Sequence, residues 1–226
     1  MKVLIVTPVL RDPSGKTRMY RRSLASHFNI EWAGQLDHLI LNGGDDYFNP
    51  AQTVTGKYEA GRTALLAGDY THMLALEYDM IAPPDALKRL MEVDADIAYG
   101  LYVMRHPNPE GVNRWSAASV LNADTYIGLN EDEDAARRLF GTVFPVVGIG
   151  LGCTLIKREV LETLHFRHTR ALKTCDWCFA LDAAEYGFTQ VCNSAVVCGH
   201  ESLLPAPCVY QVDMNAEHLY RVEFAS

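Results

Sequence analysis

The sequence predicts an α/β sandwich with a mainly parallel central sheet. Three observations carry that reading. Apolar runs of strand length alternate with stretches of helical period over residues 1–104. The first run, Val3 to Val6, is apolar at every position, as a strand covered on both faces must be. The breaks between runs carry Gly, Pro, Asn and Asp, the residues that end regular structure for stated steric reasons.

In order, the Val3–Val6 strand is closed by Thr7-Pro8, and a helix is expected over 17–27. A short strand at His38–Leu41 precedes the turn-rich NGGDDYFNP. A helix at Thr55–Ala67, stopped by Gly68-Asp69, leads to a strand at Met73–Leu76. Pro83-Pro84-Asp85 opens a helix with Leu87, Leu90 and Met91 on its buried face, and Asp96–Met104 reads as a fourth strand. The period is lost from 105 to 147, apart from NEDEDAARRLF, whose acidic start and basic end suit a short helix. Gly148, Gly150 and Gly152 lead into an apolar strand and a helix. CDWCFALDAAEYGF reads as a helix with Cys178, Phe179, Ala183 and Tyr186 inward and Gly187 as its C-cap. Two short strands end at Gly199-His200, and residues 203–226 give no pattern.

Composition narrows the function. The 226 residues are 49% apolar, enough for a substantial core in a single domain. No apolar run approaches the roughly 18 residues that cross a bilayer, and Arg11 and Asp12 interrupt the N-terminus too early for a secretory segment, so a cytoplasmic protein is expected. Twenty basic against twenty-eight acidic side chains, a formal charge of −8, disfavour a broad nucleic-acid surface, although Arg11, Lys16, Arg18, Arg21 and Arg22 form a local basic stretch. The six cysteines read as reduced core thiols; the CxxC at 175–178 lacks the second pair that a structural zinc site needs.

The chemistry begins at LEYDMIAPP. In an extended chain Glu77 and Asp79 share a face while Tyr78 points away. Two adjacent carboxylates repel, and a shared divalent cation that also carries phosphates relieves them; the other account is two solvated acids entering a turn. Two phosphate motifs come close and miss. The SGKT at 14–17 has Leu10 where a P-loop needs glycine and Pro13 where it needs a backbone donor, and the GxGxG at 148–152 departs from the dinucleotide fingerprint. In open α/β sheets ligands collect beyond the carboxyl ends of the strands, where Thr7-Pro8, the Asp45-Asp46 loop and Glu77/Asp79 all fall.

GRTALLAGDYTHMLALEYDMIAPPDALKRLM resembles the stretch of family 2 glycosyltransferases in which an arginine-bearing helix leads to a strand ending in a DxD motif and then to a proline-opened helix. GLGCTLIKREVLETL is similar to the glycine-led strand and helix of the same enzymes, and CDWCFALDAAEYGFTQVCNSAVVCGH to their ED-to-His block. The resemblance implies a GT-A fold, an α/β/α sandwich with residues 1–104 as the nucleotide-sugar half and 105–226 as the acceptor and catalytic half. It further implies a nucleoside pocket lined by Thr7 and Pro8, with Asp45 or Asp46 on base or ribose and Arg62 near the pyrophosphate. Glu77, Tyr78 and Asp79 take the DxD place, with Asp79 on the metal and Glu77 on the ribose or a metal-bound water. Asp176 takes the place of the catalytic base, and His200 that of a further metal ligand. Glu77 replaces the first Asp of the motif, and Cys175 replaces the Glu before Asp176.

The activity implied is transfer of a sugar, with inversion, from a UDP- or GDP-sugar using Mn²⁺ or Mg²⁺; mixed carboxylate and imidazole donors favour Mn²⁺. The acceptor stays open among a glycan, a lipid-linked sugar, a small molecule and a nucleic-acid base. His106, Arg114, Trp115 and Tyr126 are the types that stack on sugars or bases, or else pack a lid. A nucleotidyltransferase with a similar sheet and a non-catalytic nucleotide-sugar-binding module are the alternatives.

Overall fold

A computed structural model of the chain describes residues 1–10, 20–43, 50–116, 118–122, 125–148, 150–169, 174–203 and 206–224. The first half runs β1 (Lys2–Val9), α1 (Arg21–Phe28), β2 (Gln35–Asn42), α2 (Pro50–Ala67), β3 (His72–Leu76), β4 (Met80–Ile81), α3 (Ala86–Met91) and β5 (Ile97–Leu101). It continues through β6 (Val103–Pro107), β7 (Asn113–Trp115), β8 (Ala118–Asn122), β9 (Thr125–Gly128), α4 (Glu133–Leu139) and β10 (Val143–Pro145). The rest is β11 (Cys153–Lys157), α5 (Arg158–Thr163), α6 (Cys175–Glu185), β12 (Gln190–Val197), β13 (Gly199–Ser202), β14 (Cys208–Val212) and β15 (Tyr220–Phe224).

Seven strands form the main sheet in the order β10-β12-β5-β11-β3-β1-β2. Five of these described strands point the same way, because β1 is parallel to β2 and β3, β12 is parallel to β5, and β11 is antiparallel to both β3 and β5. The expected mainly parallel sheet is therefore present, with β10 and β11 reversed. Strands from both sides of residue 104 interleave in it. A second sheet, β15-β14-β13-β4, takes an edge strand from directly after the acid doublet.

The core explains the strand runs. Val3, Ile5, Val6, Met73, Leu74, Leu76, Ile97 and Ile156 are fully buried, as strands covered on both faces require. β1 does not stop at Thr7-Pro8 but continues to Val9. Pairing with β3 ends at Val6, and only β2 accompanies Thr7 to Val9, so the missing N–H of Pro8 costs the sheet little. The Asp96–Met104 run divides at Tyr102 into β5 of the main sheet and β6 of a hairpin with β7. In α6, Cys178, Phe179 and Ala183 are buried as expected, but Tyr186 is 64% exposed: it caps the helix, past the last turn that faces the sheet. Gly187 follows with φ +80°, the left-handed turn that glycine permits. All six cysteines are buried free thiols. Arg158 holds the end of α2, its guanidinium donating to the carbonyls of Leu65, Leu66, Gly68 and Tyr70.

Candidate active site

The acid doublet sits in a tight turn between β3 and β4, closed by the Met80 N–H donating to the Glu77 carbonyl at 3.0 Å. This corrects the extended-strand geometry expected from sequence: a turn, not a pleat, brings the two carboxylates together. Tyr78 points away from them and packs on Tyr20, with ring centroids 5.4 Å apart. The turn is pinned on both sides, since the Glu77 N–H donates to the Gly152 carbonyl at 3.0 Å and the Glu201 N–H to the Asp79 carbonyl at 2.8 Å.

Asp79 is 1% exposed. Its Oδ2 lies 2.8 Å from Arg105 Nη2 and 3.6 Å from His200 Nε2. Burial acts to raise its pKa, but His200 and Arg105 outweigh burial and hold the carboxyl below the usual range. His200 arrives because β13 pairs with β4, placing it opposite Met80. Its Nδ1 donates to the Val103 carbonyl at 2.8 Å, so Nε2 is the nitrogen turned toward Asp79. Among the described residues, Asp79 Oδ1 and His200 Nε2 are both buried without a hydrogen-bond partner.

Glu77, half-buried, lies beside this pair. Burial, then the charges of Asp79 and Asp176, push its pKa up to about 8, so at neutral pH it keeps its proton. The Tyr58 hydroxyl donates to Glu77 Oε1 at 3.2 Å. Asp176, in the first turn of α6, accepts from the Trp177 N–H at 2.9 Å. A Cβ on Gly150 would come within 3.2 Å of Asp176 Oδ2 and 2.3 Å of the Tyr102 hydroxyl, and one on Gly152 within 2.8 Å of the Tyr102 ring. The alternating glycines therefore let Tyr102 and Asp176 close over the segment opposite Glu77. Cys175 is buried, and burial with Asp176 and Glu77 nearby raises its thiol pKa, so it is a neutral group where the resemblance has a carboxylate.

The other expected residues are distributed differently. Arg62 is buried on α2, but it donates to the Leu161 carbonyl at 2.6 Å and to Glu59 at 2.8 Å. Its partners are structural, and the α2 side chain on the acids is Tyr58, one turn earlier. Thr7 and Pro8 are buried within β1; Thr7 Oγ1 lies 3.4 Å from His27 Nδ1. A cavity of about 460 Å³ opens instead between the ends of β2 and α2, lined by Asn42, Gly43, Gln52, Thr53, Gly56 and Lys57 among others. Lys57 donates to the Val9 carbonyl, and its chain neighbour Tyr58 reaches Glu77, so one turn of α2 borders both cavity and acids. Asp45 and Asp46, and Arg11, Lys16 and Arg18 of the basic stretch, lie outside the described residues. Trp115 is fully buried and donates to the Leu219 carbonyl, and Arg114 pairs with Glu131, so these two are packing groups. Sequence reasoning missed Arg105, Tyr58 and Lys57. Only the run YEAGR, with Tyr58 one helical turn before Arg62, hinted at any of them.

The donors suit a divalent cation in part. Two buried atoms without hydrogen-bond partners, one carboxylate oxygen and one imidazole nitrogen that becomes a ligand when deprotonated, are the hard and borderline donors that Mn²⁺ takes. No group of three or more His, Cys, Asp or Glu side chains able to hold a metal occurs among the described residues, so the remaining positions would fall to a ligand's oxygens.

The mainly parallel sheet with acids at a strand end is that of a GT-A glycosyltransferase-like fold. Two solved structures carry that assignment. A197 from STIV superposes with a TM-score of 0.60 at 15% identity, covering 100% of this chain and 95% of that one. GalNAc-T7, crystallised with UDP, GalNAc and Mn²⁺, superposes with a TM-score of 0.51 at 10% identity, covering 88% of this chain but 43% of that one. The chain thus spans less than half the length of GalNAc-T7. No protein-family profile and no curated sequence matches the chain.

Proposed function

We propose that the protein is a metal-dependent glycosyltransferase that moves a sugar from a nucleoside-diphosphate sugar to an acceptor hydroxyl or amine, with inversion. The observation that carries this reading is the pair of buried, unpartnered lone-pair atoms on Asp79 and His200 at the carboxyl end of β3. A solvated surface acid would not be buried at a sheet's ligand-binding edge with one oxygen left without a partner. GalNAc-T7, of similar fold, was crystallised with UDP and Mn²⁺, which agrees with it.

Asp79 and His200 would hold the cation, with Glu77 beside them. When bound, a divalent cation stabilises charge on a departing diphosphate. The chain's own residues do the rest. Tyr58 donates to Glu77 and fixes the carboxyl's orientation. Val103 sets the His200 tautomer. The cavity beside Asn42, Gln52, Thr53 and Lys57 would take the nucleoside, the place that Thr7, Pro8, Asp45 and Asp46 were expected to line. Asp176, which pairs with no cation among the described residues, would accept the acceptor's proton as the new bond forms at the anomeric carbon. On this reading residues 1–104 supply most of the donor site, and 105–226 supply the base, His200 and the acceptor side.

Incubation with Mn²⁺ and a panel of UDP- and GDP-sugars tests the proposal through slow donor hydrolysis. Release of nucleoside diphosphate from one sugar nucleotide, abolished by Asp79→Asn, is expected. Turnover of nucleoside triphosphates instead would favour a nucleotidyltransferase, and binding without hydrolysis a non-catalytic module.

A further inference from the structure

Arg105 arrives at the acid turn from β6, on the far side of the residue-104 boundary, and bridges two elements of the site. Nη2 lies 2.8 Å from Asp79 Oδ2, and Nη1 donates to the Glu201 carbonyl at 3.3 Å. Asp79 Oδ2 is also the oxygen nearest His200 Nε2. The guanidinium therefore neutralises the same carboxylate whose free oxygen, Oδ1, would receive a cation shared with His200 Nε2. Two positive charges on one buried carboxylate repel strongly at protein dielectric, whereas a diphosphate carries enough negative charge to satisfy both. Arginine suits that exchange, because the fork of donors that fits a carboxylate fits a phosphate equally well. The Arg105 side chain is 27% exposed, against 2% for Asp79, so it is the partner with room to move.

We infer that Arg105 is an exchangeable counter-ion: it neutralises Asp79 in the unliganded chain and turns to the diphosphate when the divalent cation takes its place. This rests on the function proposed above and adds a consequence to it. Cation alone binds weakly because it must displace Arg105. Cation and nucleoside diphosphate together bind cooperatively, because the displaced guanidinium gains a phosphate partner. Premature metal binding is suppressed until the donor is in place.

The test titrates MnCl₂ into the wild type, Arg105→Gln, Arg105→Lys and Asp79→Asn, with and without UDP, reading free Mn²⁺ by its paramagnetic resonance signal. UDP is expected to raise wild-type Mn²⁺ affinity by on the order of tenfold or more. Arg105→Gln is expected to bind Mn²⁺ alone on the order of tenfold more tightly than the wild type and to lose most of the gain from UDP. General damage to the fold would weaken Mn²⁺ binding, the opposite sign. If Arg105→Gln does not fold, Arg105→Lys carries the same test: its single, shorter donor pairs less well with Asp79, so Mn²⁺ alone must bind more tightly than in the wild type. Binding that Asp79→Asn abolishes but that is equal or weaker in the Arg105 variants overturns this inference and leaves the proposed function standing. Absence of Asp79-dependent Mn²⁺ binding in every protein, with UDP present, overturns both.

Discussion

At the scale of single residues, the site is a contrast between three carboxylates in different surroundings. Asp79 is buried yet held ionised by Arg105 and His200, while Glu77, two residues before it, is driven by burial and by Asp79 itself to keep its proton. Asp176 sits at the start of a helix beside the glycine segment, half-buried, with Oδ1 accepting from the Trp177 N–H. On the proposed function these environments serve different roles, Asp79 as cation ligand and Asp176 as proton acceptor. Asp176→Asn should therefore cut sugar transfer by roughly a hundred- to ten-thousand-fold while leaving UDP affinity within about twofold. Parallel single-turnover rates and calorimetric titrations check this; an unchanged rate removes Asp176 from the mechanism. The acid doublet and Asp176 were readable in sequence because their signals are local: two acids after an apolar run, one acid opening a helix. Arg105 was not, since its role depends on β6 crossing to the turn after β3, and nothing in RHPNPEG marks that crossing.

At the scale of elements, the glycine-led entry to β11 is the point where packing and chemistry meet. Gly150 and Gly152 leave room for Tyr102, whose ring also meets His200 edge-on at 5.5 Å between centroids. Gly150→Ala would place a methyl 2.3 Å from the Tyr102 hydroxyl and should cost about 1–3 kcal/mol. Tyr102→Phe added to it should recover part of that loss, because the next ring atom is 3.6 Å away while Asp176 Oδ2, at 3.2 Å, remains close. Denaturant midpoints for the two single variants and the double give the coupling, and strictly additive losses would contradict the contact. Element type was legible wherever burial imposed a strict pattern, as in β1, β3, α2 and α6. It was illegible after residue 203, where β14 and β15 are half-buried strands of a small sheet and their alternation is weak. The turn at Glu77–Asp79 was misread for a related reason: periodicity continues a strand in either case, and only the Glu201 and Gly152 contacts bend it.

Across the whole molecule, the two sheets are joined under the site by His27. Its ring lies 3.4 Å from Thr7 Oγ1 of β1, and its Nε2 donates to the Met80 carbonyl of β4 at 3.0 Å. Burial pushes its pKa down to about 4. The folded protein thus binds this proton only near pH 4, whereas the unfolded chain binds it near 6.5. Between those values the unfolded state holds more protons. Stability is fully present above pH 6.5 and falls as pH drops toward 4, by up to about 3 kcal/mol. Urea unfolding at pH 7 and pH 4.5 should show this fall in the wild type and a shallower one in His27→Gln; identical slopes would exclude His27 as its source. The main sheet's direction was legible from the β/α alternation, but the reversal of β11 and the second sheet were not, because strand order depends on pairings as distant in sequence as Leu76 with Cys153 and Met80 with His200. No helix among the described residues is long and apolar enough to cross a membrane.

The central claim is that Asp79 and His200 hold one divalent cation together with a nucleoside diphosphate. Pulsed paramagnetic resonance of the protein with Mn²⁺ and UDP reads it most directly, through the hyperfine coupling of an imidazole nitrogen to the metal. The account predicts a directly coordinated nitrogen in the wild type that vanishes in His200→Gln, with Mn²⁺ binding itself lost in Asp79→Asn. A Mn²⁺–UDP complex bound with no nitrogen coupling, or one indifferent to both substitutions, would contradict it.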